Sequence, residues 1–575
     1  MTGTYLLDYG AGNVRSLVNA VKKLGHDITY VKDPSDILKA DKLIFPGVGA
    51  FGSAMQSLHS KGYAEPLKQY LALNKPFMGI CVGMQSLFEG SDESPNVPGL
   101  GIIPGRVRLF SAKDKAVPHM GWNTARTIQG GDRAKGCGLE DGRAYYFVHS
   151  FAVPFVEGSP EAREWCLTTT QYGGEAFISS VRRGNVFCTQ FHPEKSGFAG
   201  VNVLKAFLDG NASVGAELDA ALIQASVFAA GGGLSVLAPS YIPEPTQDQF
   251  TKRIVACLDV RANDQGDLVV TKGDQYDVRE QSTTDGKGGD VRNLGKPVEL
   301  ARRYFEEGAD EITFLNITSF RNCPLTDLPM LEVLRRTSET VFVPLTIGGG
   351  IKDVVDPDGK VHPALEVAGE YFRNGADKVS IGSDAVYAAE KYYALGGRGD
   401  GTSAIETIAH AYGSQAVVIS VDPKKVYVNS PSDAPTHHVI QPAQLGPNGE
   451  KYCWYQCTVS GGREGRDMDV RQLVTACQAL GAGEILLNSM DQDGMKQGYD
   501  LALINDVRSA ISIPVIASSG AGAPQHFVEV FEKTGVEAAL AAGIFHRREV
   551  PLEAVKDTCV MAGIRIRTID APLAV

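Results

Sequence analysis

RIVACLD, residues 253–259, has a counterpart in AVVISVD, residues 416–422: each is an apolar, β-branched run that ends on an acid. Three further runs follow each copy in the same order. After the first come DEITFLNITS (310–319), TVFVPLTIGGG (340–350) and DKVSIGSDA (377–385). After the second come EILLNSMD (484–491), IPVIASSGAG (513–522) and EAALAAGIF (537–545). The second members open on Gly-Ala-Asp-Glu and Gly-Ala-Gly-Glu, and in the third members a Pro precedes a Gly-rich end. The offset of roughly 160 to 175 residues is too long for a solenoid and suits a duplicated half-barrel. Eight strand–helix units in about 325 residues predict a (β/α)8 barrel over 251–575. Insertions near Gln281–Arg292 and Asn429–Cys457 follow the acid-bearing strands and should rise over the catalytic face.

Upstream of the barrel, the sequence changes character between Asp209 and Phe250, where an Ala-rich stretch precedes Gly231–Gly233 and PSYIPEPTQDQ. That reads as a connector over 209–250 and leaves residues 1–208 as a separate α/β domain. Active sites of such barrels lie at the C-terminal strand ends. Asp259 and Asp422 occupy equivalent ends of the two half-barrels, as paired acid and base groups would. A capping role for either Asp is the plainer alternative. The Gly-rich ends form two phosphate cradles, one from Gly348, Gly349, Gly350, Gly382 and Ser383, the other from Ser519, Gly520, Gly522 and Gly543. Backbone amides and adjoining short helices would hold each phosphate, so the ligand should be long and doubly phosphorylated.

The whole chain carries 55 Lys and Arg against 67 Asp and Glu, a net charge of −12, which argues against nucleic acid as the main partner. No apolar run approaches the ~20 residues of a membrane span. MTGTYLLDYGAGN has no basic segment followed by an apolar block, so a cytosolic enzyme is expected. Cys453 and Cys457 lack a second pair and nearby histidines, so a strand is expected there and no metal site or cofactor is assigned.

In the first domain, KPFMGICVGMQSLF places Gly79-Ile80-Cys81-Val82-Gly83 between an apolar strand and an amphipathic helix start. This is the Cys form of a nucleophile elbow, whose strained turn exposes the sulfur and whose helix start favours thiolate. A buried structural Cys is the alternative for the pentapeptide alone. NVFCTQFHPEKS adds His192 as base and Glu194 to orient it, and the turn Pro46-Gly47-Val48-Gly49 has amides suited to an oxyanion.

Together these residues resemble a class I, triad-type glutamine amidotransferase domain over about Tyr5–Leu208. The resemblance implies that Cys81, His192 and Glu194 form the triad and that Val82 and Gly47, Val48 and Gly49 form the oxyanion hole. It also implies that Gln85, His149 and Ser150 hold substrate glutamine. KRIVACLDV, VVTKGDQYDV, GAGEILLNSMDQDG and IASSGAGAPQHF resemble the cyclase of imidazole glycerol phosphate synthases, and the whole chain resembles their fused fungal and plant type. That implies an open α/β glutaminase joined to the barrel, which takes ammonia and a bisphosphorylated ribonucleotide. Lys272 would engage that substrate, and Asn488 and Asp491 would line its groove. Arg253, Glu311, Lys378 and Glu484 would form a salt-bridged gate to an ammonia tunnel, with the glutaminase over the N-terminal pole. Lys195 and Asp377 would pair across the domains, which are each other's partner in a monomer. A sugar isomerase shares the half-barrel plan but has no use for ammonia. A sensing scaffold and a glutamine-dependent synthase with another phosphorylated acceptor remain as alternatives.

Overall fold

The computed structural model describes residues 3–10, 12–47, 49–128, 134–210, 248–262, 268–271, 296–316, 329–356, 359–442 and 444–569. Val48, Lys272, the insertion near 281–292 and residues 211–247 of the connector lie outside them. The chain divides into two units, the second running from Thr251 to Ile569.

In the first unit, strands β1 (Thr4–Leu6), β2 (Ile28–Tyr30), β3 (Lys42–Phe45) and β4 (Phe77–Ile80) are parallel. A ladder of β5 (His119–Thr124) and β7 (Ala144–His149) lies apart from the main sheet, while β6 (Arg126–Thr127), β8 (Cys166–Tyr172), β9 (Glu175–Arg183) and β10 (Val186–Thr189) complete that sheet. Its order is β2-β1-β3-β4-β10-β9-β8-β6, with β10 parallel to β4 and the last three strands antiparallel. Every residue of β4 and β10 is buried, as expected of central strands covered on both faces. The register pairs Phe45 with Gly79 and Ile80 with Thr189. The C-terminal ends of β3, β4 and β10 therefore bring the Pro46–Gly47 turn, Cys81 and His192 to one edge. Open α/β sheets place ligand sites at such ends.

The second unit closes eight parallel strands into a barrel: β11 (Arg253–Ala262), β12 (Glu311–Asn316), β13 (Leu345–Gly348), β14 (Lys378–Ile381) and β15 (Val417–Val421) come first. After three strands of the insertion, β16 (Lys424–Val428), β17 (Tyr452–Val459) and β18 (Glu464–Asp469), the barrel resumes with β19 (Glu484–Asn488), β20 (Val515–Ser518) and β21 (Ala538–Ala541). Closure comes from β21 pairing with β11, Arg253 opposite Ala538. Side chains alternate along a strand, so Arg253, Val255, Cys257 and Asp259 share the inward face of β11. Val255, Cys257, Val418, Leu486, Ile516, Ala538 and Leu540 form one buried apolar cluster in the barrel. Charge at the strand starts and acid at the strand ends are thus separated by packed apolar layers.

The insertion after Asp422 is a three-stranded antiparallel sheet in which both Cys453 and Cys457 are buried. It is fastened to the barrel mouth where Thr458 Oγ1 donates to the Asp422 carbonyl at 2.6 Å. Among the described residues no helix is long and apolar enough to cross a membrane.

Candidate active sites

Cys81 sits between β4 and the helical turn Val82–Gln85 with φ 51° and ψ −109°, a conformation that side-chain-bearing residues rarely adopt. Its amide is tied to the Thr189 carbonyl at 2.7 Å, which fixes the elbow against β10. Gly47 and Gly83 make the turn possible. A Cβ on Gly47 would lie 1.9 Å from the Ile80 carbonyl oxygen, and one on Gly83 would lie 2.2 Å from that of Phe45. The Pro46–Gly47 backbone is therefore pressed directly against the nucleophile turn.

His192 Nδ1 lies 2.8 Å from Glu194 Oε1, and all three triad candidates are nearly inaccessible. Burial would push the imidazole down, but the Glu194 carboxylate and the hydrogen-bonded sulfur of Cys81 outweigh it, and its pKa is raised to about 10. A resting imidazolium between sulfur and carboxylate follows from that balance. The group is held in place by Ser196, whose hydroxyl donates to the His192 carbonyl and accepts from the Tyr146 amide.

The three candidates for holding glutamine line one side of this site. Gln85 donates from Nε2 to the Phe151 carbonyl and to Gln190 Oε1, each at 3.0 Å, while its own carbonyl oxygen makes no hydrogen bond among the described residues. The His149 ring turns inward: Nδ1 meets the Phe151 carbonyl at 2.8 Å and Nε2 meets His119 Nδ1 at 3.2 Å. Both ring nitrogens are thereby used inside the protein, so the His149 ring has no nitrogen left for a ligand. Burial pushes the pKa of His149 down to about 3 and that of His119 well below its ordinary value. His119 is stacked on Tyr172, with ring centroids 4.0 Å apart. Gln190 and His119 were not singled out in the sequence. Gln190 stands two residues before His192 in TQFHPE, which was a usable signal, whereas His119 had none.

In the barrel, Asp259 and Asp422 are both half-buried at the strand ends. Asn488 Nδ2 donates to Asp422 Oδ1 at 2.9 Å, and Cys257 Sγ approaches Asp259 Oδ1 at 3.9 Å. Asp491 instead accepts from the Lys425 amide at 2.8 Å, which ties the insertion to the loop after β19. Asp259 opens on a cavity of about 100 Å³ shared with Ser519, Gly520 and Gly543. Lys496 and Arg547 also line it, each paired with Glu549 at 2.7 Å. These two cations were missed because nothing in their local sequence points to the cradle.

The other cradle joins the Gly348–Gly350 turn to Gly382, which caps the helix Ser383–Ala394. Gly349 has φ 92°, and a Cβ there would lie 2.2 Å from the Asn316 carbonyl oxygen. The turn after β17 reaches this cradle, since the Ser460 amide donates to Ser383 Oγ at 2.9 Å. Arg466 anchors that hairpin by gripping Glu390 at 2.8 and 3.0 Å.

At the opposite strand ends, Arg253 reaches Glu311 at 2.6 Å and also bonds Glu484. Lys378 reaches Glu311 at 2.6 Å and Glu484 at 2.5 Å, so the four side chains close into a ring of zero net charge. Burial raises the pKa of Glu311, but Lys378 and Arg253 outweigh it and hold the carboxyl below its usual range. Asp377, one residue before Lys378, accepts the Leu345 amide at 2.8 Å, while Lys195 ends the 3-10 turn that carries Glu194.

The "Glutamine amidotransferase class-I" family model matches residues 5–209, and the "Histidine biosynthesis protein" model matches 253–551. The chain is 56% identical over 574 residues to the imidazole glycerol phosphate synthase hisHF of Emericella nidulans, covering 99% of this chain and all of that one. The Schizosaccharomyces pombe enzyme of the same name is 56% identical over 98% of this chain and 99% of its own. The chloroplastic Arabidopsis thaliana enzyme is 53% identical over 98% of this chain and 89% of its own.

Proposed function

The chain belongs to the bifunctional imidazole glycerol phosphate synthases of histidine biosynthesis, and from that premise we propose how its residues divide the work. Cys81 Sγ attacks the side-chain amide carbon of glutamine. The oxyanion is met by the Val82 amide and by the turn that contains Gly47 and Gly49. As the C–N bond breaks, His192 gives its proton to the leaving ammonia. Water then attacks the thioester, releasing glutamate and returning the proton to the sulfur–imidazole pair. Glu194 keeps the imidazole oriented and charged. Gln85 offers its unused carbonyl oxygen to the α-ammonium group of glutamine.

The acceptor is N'-phosphoribulosyl-formimino-aminoimidazole-carboxamide ribonucleotide, with one phosphate in each cradle. Asp259 and Asp422 share the proton transfers of amination, cleavage and ring closure, giving imidazole glycerol phosphate and aminoimidazole-carboxamide ribonucleotide. Asn488 keeps Asp422 aimed at the mouth. The ring of Arg253, Glu311, Lys378 and Glu484 acts as a gate for ammonia. Ser380 lies between ring and mouth on β14, and its buried hydroxyl has no hydrogen-bond partner among the described residues, a group that passing ammonia would satisfy. The same reading makes the chain a cytoplasmic monomer acting on two small molecules.

The observation that carries this reading is the His192–Glu194 contact of 2.8 Å beside a strained Cys81. The test is product formation from glutamine and from ammonium salt by the Cys81→Ala chain. Synthesis should persist with ammonium and vanish with glutamine; synthesis from glutamine in that variant would remove the assignment.

A further inference from the structure

Gln190 is fully buried, and it is aimed at the nucleophile. Its Nε2 lies 3.4 Å from Cys81 Sγ, and its Oε1 accepts from Gln85 Nε2 at 3.0 Å. Which end of each carboxamide faces which neighbour follows from one backbone group. The Phe151 carbonyl can only accept, and it takes Gln85 Nε2 at 3.0 Å and His149 Nδ1 at 2.8 Å. Gln85 must therefore present nitrogen there. Its other hydrogen points at Gln190, which must present oxygen, so the Gln190 NH2 group faces the sulfur.

A second branch from the Phe151 carbonyl fixes the histidine tautomers. Asn123 Oδ1 accepts from the Thr124 amide at 2.8 Å, and its Nδ2 donates to the Gln171 carbonyl at 2.9 Å. The same Nδ2 lies 3.3 Å from His119 Nε2, which must accept, so His119 carries its proton on Nδ1. That proton goes to His149 Nε2 at 3.2 Å, so His149 carries its own on Nδ1, facing Phe151. Burial keeps both rings neutral, so this direction holds at neutral pH.

We infer that Gln190 is a further catalytic residue of the glutaminase site: its N–H donates to Cys81 Sγ and stabilises the thiolate that attacks glutamine. The inference rests on the reading of Cys81 as nucleophile. A donor to an ionised acceptor is stronger than the same donor to a neutral thiol, so the contact favours ionisation. The shared bond to Gln85 also places a substrate-holding amide and the nucleophile in one rigid line. The titratable groups around the sulfur are His192 and Glu194 after β10 and the buried Tyr9 after β1. Behind them lie His149 beside His192, and Asp8 and Glu93 beside Tyr9. Replacing Gln190 removes none of these.

The test is the pH dependence of Cys81 alkylation by iodoacetamide in the full chain, followed by mass spectrometry of the Cys81 peptide. Gln190→Met removes the donor, and the isosteric Gln190→Glu replaces it by an acceptor without changing shape. The midpoint should rise by about one pH unit in Gln190→Met, a tenfold loss of thiolate below it, and further in Gln190→Glu. At pH values below the midpoint, glutamine hydrolysis should fall about tenfold in kcat, the consequence of that thiolate loss, while ammonium-supported synthesis persists. An unchanged midpoint in both variants would overturn the inference. Wild-type glutamine hydrolysis that survived complete alkylation of Cys81 would instead overturn the reading of Cys81 beneath it.

Discussion

Glu311 and Glu484, the first residues of two strands related by the internal repeat, each bind both Arg253 and Lys378. Neither cation can be removed without leaving two buried carboxylates to share the other. Lys378→Met should therefore destabilise the barrel by about 3–5 kcal/mol in denaturant unfolding. It should also let glutamate release outrun synthesis. Unchanged stability would contradict the ring as a closed unit, and unchanged stoichiometry would contradict its role as a gate. Because Glu311 is held below its usual range, its contribution is present above the ordinary carboxylate pKa and is lost as pH falls through the lowered value.

Asp259→Asn should abolish synthesis with either nitrogen source, because in the proposed mechanism the carboxylate beside the Ser519–Gly520 cradle acts after ammonia arrives. Its glutamine hydrolysis should persist at the basal rate. Synthesis from ammonium salt at the wild-type rate would remove Asp259 from the chemistry.

Gly47→Ala puts a methyl group 1.9 Å from the Ile80 carbonyl oxygen, a clash that only a shift of the turn can relieve. Glutamine hydrolysis should fall by at least about a hundredfold, the scale of losing one oxyanion donor. Ammonium-supported synthesis should stay near wild type. Equal losses in both assays would mean that the substitution acts on folding.

His149 and His192 should leave opposite marks on stability against pH. The pKa of His149 falls to about 3, below the ordinary value near 6.5, so the unfolded chain binds its proton first on acidification. Its contribution is present above about pH 6.5 and is lost as pH falls toward 3. His192 is raised to about 10, so its contribution is full below about pH 6.5 and is lost as pH rises toward 10. Denaturant unfolding should become less acid-sensitive in His149→Asn and less alkali-sensitive in His192→Gln. Parallel curves for wild type and variants would contradict both assignments.

Much of this architecture was readable from residues close in sequence. Runs such as RIVACLD and AVVISVD carry strand, inward acid and repeat together, because side-chain alternation ties the acid at the end to the charge at the start. Cys81 and His192 were legible for a similar reason, since each lies at the end of a short buried strand. The Gln190 network was not, because it joins residues 85, 151 and 190 through hydrogen-bond directions that only the folded sheet defines. The inward turn of His149 was hidden too. Its cause is packing on Phe110 and His119, with ring centroids 5.4 and 5.2 Å away, which no local pattern announces. Ser460 reaches Ser383 across 77 positions, and the cradle it completes was therefore legible only in part.

The most direct test of two coupled sites is glutamate release from glutamine by the purified chain, with and without the formimino bisphosphate. Imidazole glycerol phosphate is measured in the same samples. Strong stimulation by the bisphosphate, with one imidazole glycerol phosphate formed per glutamate, is the predicted result. Glutamate release at the same rate with and without it, and no imidazole product, would contradict the account.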